Sequence, residues 1–360
     1  MTIIRKKLFI FRCGNIGTVT YKMLLKNFGI DGAIEYISQV LKENYKYKIS
    51  SWEDIDKEIT NLKNFGGRFI TEEDNEFPKN NDDLPPILSI IGNIELLKKK
   101  SVTVIGTRNP SLNGLQYTKY LCRKWREKDL VIISGMALGI DTIAHEENTS
   151  NTIAVLPGGI DIIYPKQNYF LYNDIKNNGL LISSCPFGEN VTNRNFPRRN
   201  RILAALGNAI VVTEAMKNSG ALITTNYGKK YNKKIFSVPG HPLDMRYEGN
   251  NILLKNGGYL MDDPQILVDK IFSLSMQEEE EIPLISSINN IFNKNISLKD
   301  KEILKKKIFN FLSILPVSIN SIIEYTKYPI GDVNYVLTEM EILGEIERYF
   351  DNSVSLIIKL

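Results

Sequence analysis

The amino-acid sequence predicts an α/β fold in which a doubly wound, mainly parallel sheet lies between a small helical N-terminal domain and a C-terminal winged-helix-like domain. Three observations lead there. Between residues 100 and 270, short β-branched apolar runs alternate with longer helical stretches, as in a parallel sheet covered on both faces. Before that block, apolar residues recur at three- and four-residue spacing. After it come three helical periods and a terminal β-ribbon.

At 360 residues the chain has room for two or three domains, one dominant. The N-terminal domain, residues 1–78, has helical runs at Thr20 to Phe28 and Ile34 to Leu41, interrupted by Gly14, Gly17, Gly29 and Gly32. Phe77 to Pro86, with Pro78, Pro85 and Pro86, reads as an extended connector. The domain at 79–275 holds six strand-like runs: Val102 to Ile105, Leu130 to Ser134, Thr152 to Leu156, Leu180 to Ser183, Ala209 to Thr213 and Ile235 to Val238. Leu112 to Glu127, Gln167 to Lys176 and Leu222 to Tyr231 suit crossover helices, so this part is Rossmann-like. Residues 276–297, with the acidic run Glu278 to Glu281, read as a linker. The domain at 298–360 has helical periods around Ile303 to Leu315, Ser318 to Tyr325 and Ile330 to Leu343, then a ribbon over Glu345 to Ile358. A winged helix either contacts DNA or protein, or serves as a packing module.

Composition narrows the function. Hydrophobic residues make up 43% and charged ones 24%, no apolar run reaches membrane-spanning length, and the N-terminus lacks a secretory apolar region; a cytoplasmic protein with no membrane association is expected. Cys13, Cys122 and Cys185 form no CxxC pair, so reduced thiols are expected and neither disulfides nor zinc. His145 and His241 are the only histidines, which leaves little for a metal site or a histidine-based triad. A net charge of +4 says less about nucleic acid than does the placement of the arginines.

In an open parallel sheet the ligand crevice lies at the carboxyl ends of the strands. The first of the six strands leads into Gly106-Thr107-Arg108-Asn109-Pro110-Ser111: Gly106 permits a tight turn, Ser111 caps a helix, and Arg108 is either a phosphate fork or a solvated side chain. After the second, Ser134-Gly135-Met136-Ala137-Leu138-Gly139-Ile140-Asp141 lets amides converge on an anion, and Asp141 is spaced to pair with His145 one turn on. Leu156-Pro157-Gly158-Gly159-Ile160-Asp161, followed by Tyr164 and Pro165, is either a phosphate or sugar seat or a rigid turn. Asn195-Phe196-Pro197-Arg198-Arg199-Asn200-Arg201 sets three arginines around an aromatic ring, the pairing of charge and stacking that single-strand binding needs. Ser219-Gly220, with Thr224 following, opens a helix after Glu214 and forms another anion seat. Val238-Pro239-Gly240 reads as a turn. Phosphates are thus expected across the helix N-termini after the first, second and fifth of these strands, with Arg108, Arg199 and Arg201 pairing charge.

GTRNPS, SGMALGID with Ala144-His145, AVLPGGIDIIYP, NFPRRNRILAAL, EAMKNSGALITT and FSVPG stand in the order and spacing of the DprA/Smf family of DNA-processing proteins, over most of residues 66–262. The chain resembles that family. Residues 14–28 are similar to its N-terminal helical module of SAM or helix-hairpin-helix type, and the C-terminal segment to its winged helix. The resemblance implies single-stranded DNA binding without catalysis or cofactor, homodimerisation, and loading of the RecA recombinase during natural transformation. It puts Gly106, Thr107, Arg108, Ser134, Gly135, Gly139, Asn195, Phe196, Arg198, Arg199, Asn200, Arg201, Ser219, Gly220 and Thr224 at the DNA. One departure is Ser183-Ser184 followed by Cys185, where the family usually has Ser-Glu; the pocket loses a carboxylate.

The rival expectation is a nucleotide-processing enzyme of the phosphoribohydrolase, lysine-decarboxylase-like type. Such enzymes continue from the glycines to a catalytic Glu, whereas this chain continues Ile160 to Tyr164, leaving only Glu214 or Asp141 as substitutes. A dinucleotide-dependent oxidoreductase is excluded by GTRNPS in place of GxGxxG.

Overall fold

A computed structural model describes residues 2–14, 16–42, 50–78, 84–273, 298–313, 316–349 and 353–357. The chain divides into two compact units, Lys57–Glu281 and Met1–Asp56 with Ile282–Leu360. Residues 276–297, read above as a linker, lie outside the described residues. Among those described, no helix is long and apolar enough to cross a membrane.

The elements begin with α1 (Ile3–Arg12), α2 (Thr18–Lys42) and α3 (Trp52–Asn64), the division between units falling within α3. The central unit then supplies nine strands: β1 (Arg68–Thr71), β2 (Ile87–Gly92), β3 (Ser101–Ile105), β4 (Val131–Ser134), β5 (Thr152–Val155), β6 (Leu180–Ser183), β7 (Ala209–Val212), β8 (Lys234–Ser237) and β9 (Tyr259–Leu260). They form one sheet of order β1-β2-β6-β5-β4-β3-β7-β8-β9. From β6 to β9 every pairing is parallel; β1 and β2 add an antiparallel edge. Neither of these two strands, nor β9 at the opposite edge, is predicted from sequence. Arg68–Thr71 is short and half polar, and Ile87–Gly92 directly follows the prolines of the connector.

The crossover elements are α4 (Leu112–Arg126), α5 (Ile140–Glu146), α6 (Tyr169–Asn178), α7 (Asn195–Leu206), α8 (Gly220–Lys230), α9 (Glu248–Lys255) and α10 (Pro264–Ser273). Alternation along the strands feeds both faces. Ile105, Ile133 and Ile210 pack with Leu203 of α7 and Ala221 of α8, while Val102, Val104 and Val211 pack with Trp125 of α4 and Leu267 of α10. Because β3 pairs with both β4 and β7, the strand order reverses there and a crevice opens at the carboxyl ends of β3 and β7.

The other unit contains α1, α2, the first turn of α3, and a winged helix: α11 (Leu298–Phe311), β10 (Val317–Ser318), α12 (Ile319–Thr326), α13 (Ile330–Ile342), β11 (Ile346–Arg348) and β12 (Ser353–Leu356). Its three strands run β10-β12-β11, antiparallel, around a core that includes Leu304, Ile308, Ile322, Val336 and Leu337. The two helical runs of the N-terminal sequence are the halves of α2, broken at Gly29, whose φ of 65° only glycine adopts without strain.

Candidate nucleic-acid interface

The loops after β3, β4 and β7 are stitched together through the backbone. Thr107 N–H donates to Glu214 O at 2.7 Å, and Ile140 N–H donates to Thr107 O at 3.2 Å. Gly139, at φ 80°, lies so close to the carbonyls of Thr107 and Arg108 that no Cβ fits. Arg108 itself is exposed.

Two of the expected anion seats are filled by the protein's own carboxylates. At the start of α4, Ser111 Oγ accepts from Gly114 N–H at 3.0 Å and donates to Glu214 Oε2 at 2.6 Å. The Glu214 carboxylate also accepts from Ser111 N–H at 3.1 and 3.2 Å and is fully buried. In the β4 loop, Asp141 Oδ2 accepts from Gly135 N–H at 3.2 Å and Ala137 N–H at 3.3 Å. At these two seats the Ser111, Gly135 and Ala137 N–H groups, which the sequence reading offered to phosphate, already donate to internal carboxylates. The start of α8 differs. Ser219 makes no side-chain cap, its Oγ has no partner among the described residues, and Gly220 faces open space.

The basic segment is helical: it forms the first turns of α7, where Pro197 is tolerated because first-turn N–H groups have no intrahelical partner. Helical geometry separates its arginines. Arg198 is exposed, whereas Arg199 points inward, its Nη1 3.7 Å from Asp141 Oδ2 and its guanidinium filling the space a Cβ on Gly135 would need. Burial dominates that pair, holding Asp141 above the ordinary carboxylate range and Arg199 below the ordinary guanidinium range. Arg201 lies over the Tyr227 ring at 5.2 Å, and Asn200 Nδ2 donates to Gly220 O at 3.4 Å, tying α7 to α8.

Phe196 is half-buried at the crevice mouth, with the Arg108 guanidinium 5.2 Å and that of Arg199 5.9 Å from its ring centre. Tyr164 meets the ring edge-on at 5.9 Å. Tyr164 stood in a loop that the sequence left open between ligand seat and turn, so its approach to Phe196 was not foreseen. Asn195 is a brace: it accepts from Thr192 N–H at 2.9 Å and donates to Glu189 Oε1 at 2.6 Å and Cys185 Sγ at 3.1 Å. Ser134 donates to Val104 O at 2.7 Å and is buried, as is Thr224. Of the fifteen predicted positions, Gly106, Thr107, Arg108, Gly139, Phe196, Arg198, Arg201, Ser219 and Gly220 reach solvent, and Ser134, Gly135, Asn195, Arg199, Asn200 and Thr224 are buried beneath them.

The expected Asp141–His145 pair is absent. Thr152 Oγ1 donates to Ile132 O at 2.8 Å and so must accept from His145 Nδ1–H, 2.7 Å away. Burial, reinforced by the Arg199 charge, pushes the His145 pKa down to about 3, keeping the ring neutral. Among the described residues no group of His, Cys, Asp and Glu is arranged to hold a metal.

Fold and site together define a Rossmann-like α/β protein with a winged helix, whose crevice offers an arginine-aromatic rim rather than a dinucleotide loop. Residues 68–272 match the family model described as DNA recombination-mediator protein A, and residues 297–351 match that of the DprA winged helix domain. The chain belongs to this DNA-processing family. It is 31% identical over 310 residues to protein Smf of Synechocystis, covering 78% of each chain, and 38% identical over 186 residues to DprA of Streptococcus pneumoniae, covering 51% of this chain and 66% of that one. The X-ray structure of the pneumococcal protein aligns with a TM-score of 0.57 at 32% identity, over 61% of this chain and 78% of that one. The Helicobacter pylori DNA processing protein A, described for its single-stranded DNA binding mode, aligns with a TM-score of 0.53 at 31% identity, over 57% and 96%.

Two outcomes follow from the buried pair and the neutral histidine. Arg199→Ala strands the Asp141 carboxylate and is expected to lower unfolding free energy by about 3–5 kcal/mol, whereas Arg108→Ala changes it by less than about 0.5 kcal/mol; urea denaturation compares them. Since the His145 pKa falls from 6.5 unfolded to about 3 folded, the unfolded chain binds the extra proton between those values. Stability should therefore decline as pH drops below 6.5, by at most about 1.4 kcal/mol per unit from this group. Melting of His145→Gln across the same range should show a flatter decline.

Proposed function

We propose that the protein binds single-stranded DNA across the crevice at the ends of β3 and β7 and acts in the cytoplasm as a recombination mediator that loads RecA onto incoming strands, as a homodimer and without catalysis or cofactor. The observation that carries this reading is the Phe196 ring at the mouth, flanked by Arg108 and Arg199 and followed by the open start of α8. A base has a π-face to stack there, and its phosphates meet Arg108, Arg198 and the α8 amides. The relative from Helicobacter, described for single-stranded DNA binding, supports the same ligand. Arg199 and Asp141 hold the rim in place, and no element at this rim is shaped to read base edges, so sequence preference is slight.

The enzymatic alternative loses support from the carboxylates. Glu214 is engaged by Ser111 N–H and Oγ, and Asp141 by two amides and Arg199, so neither stands ready to move a proton at a substrate.

Fluorescence anisotropy with oligo-dT and the matching duplex tests the reading. Single strand should bind more tightly than duplex, with a log-log salt slope of about 0.7 per phosphate contacted. Arg108→Ala should weaken binding roughly tenfold or more and reduce the slope by about 0.7. Salt-independent binding, or equal affinity for duplex, would contradict it; release of base from nucleoside monophosphates would restore the enzyme.

A further inference from the structure

In a helix-turn-helix protein the recognition helix enters the major groove, and in this winged helix that position belongs to α13. Two features of α13 oppose that use. It carries Asp332, Glu339 and Glu341 and no lysine or arginine. It is also engaged by α2: Tyr335 meets Tyr36 edge-on at 5.9 Å, and Thr338 Oγ1 lies 4.0 Å from Met23 Sδ. Glu341 forms a buried ion pair with Arg348 at 3.3 Å, and Arg348 Nη1 reaches the same Met23 Sδ at 3.0 Å.

Helices α11 and α12 present different chemistry. Phe311 stacks on Tyr325 with ring centres 4.3 Å apart and planes at 17°. One turn before Phe311, the Lys307 ammonium lies 5.3 Å from the Tyr328 ring centre. Lys327 ends α12 in the left-handed conformation, φ 58°, between the two tyrosines. Tyr325 is 52% exposed, Lys307 and Lys327 are exposed, and among the described residues neither lysine has a carboxylate partner. The neighbouring Lys301 and Lys305, by contrast, are paired with Glu339 and Glu345.

We propose that this face, Lys307, Phe311, Tyr325, Lys327 and Tyr328, is a second binding surface for single-stranded nucleic acid, and that the winged helix engages strands there rather than a duplex through α13. The exposed Tyr325 ring offers a π-face to a base of any identity, and two ammonium groups beside it, unpaired among the described residues, accept phosphates. The surface lies wholly within one unit, and its assignment does not depend on the crevice.

The test is the affinity of the full chain for long oligo-dT, in wild type and in Arg108→Ala, with Tyr325→Ala or the double substitution Lys307→Glu and Lys327→Glu added. Each addition should weaken binding at least about fivefold in both backgrounds, the lower end for one lost base stack, and the double substitution should reduce the salt slope by about 1.4. The lysine substitutions lie on the surface, so they keep the test valid if Tyr325→Ala impairs folding. Unchanged affinity and slope would overturn the proposal. So would displacement of oligo-dT from the Arg108→Ala protein by polyglutamate as readily as by unlabelled strand, which would assign the face to acidic protein. If Arg108→Ala alone has no effect while these substitutions do, the crevice reading fails and this one stands.

Discussion

The construction of the crevice depends on two buried carboxylates. A doubly wound sheet that reverses its strand order exposes helix N-termini and loop amides at the strand ends, and each such donor must find an acceptor. Here Glu214 answers the start of α4 and Asp141 answers the loop after β4. With those donors satisfied internally, the loops after β3, β4 and β7 close on one another, and Gly139 allows them to touch. The start of α8, where Ser219 makes no side-chain cap, lacks such an internal carboxylate among the described residues. The crevice thereby carries Arg108 and Phe196 above amides that internal carboxylates engage.

Arg199 links floor to rim. Its guanidinium neutralises Asp141 below and stands 5.9 Å from the Phe196 ring above, on the opposite duty from its neighbour Arg198. Such a buried pair contributes little net stability when intact but much when halved. A change at Arg199 thus disturbs shape before it disturbs charge, whereas Arg108 reports on the ligand alone.

Much of this was legible in the sequence. The six strand-like runs fall on β3 to β8 because a strand buried on both faces is apolar nearly throughout. The glycine-rich segments fall at the ends of β3, β4 and β5, and the arginine-rich one opens α7. What the one-dimensional pattern could not separate is inward from outward: Arg198 and Arg199 are adjacent letters, and only the 100° step of α7 sends one to solvent and the other to Asp141. The same limit hid the roles of Asp141 and His145. Their one-turn spacing suggested a pair, but the partners that prevail, Arg199 and Thr152, come from other elements. The antiparallel strands β1 and β2 went unseen since four residues beside a polar turn, or six after two prolines, carry too little periodicity.

Hydrogen exchange of the full chain with and without saturating oligo-dT addresses the central claim, that strands lie on the rim while the floor is already satisfied. The account predicts new protection at the start of α8 and in the Thr107 to Pro110 loop, with the amides of Gly135 and Ala137 equally protected in both states because Asp141 holds them. Strand-dependent protection at Gly135 and Ala137, with none at α8, would contradict it by placing phosphate in the seats assigned here to the protein's own carboxylates.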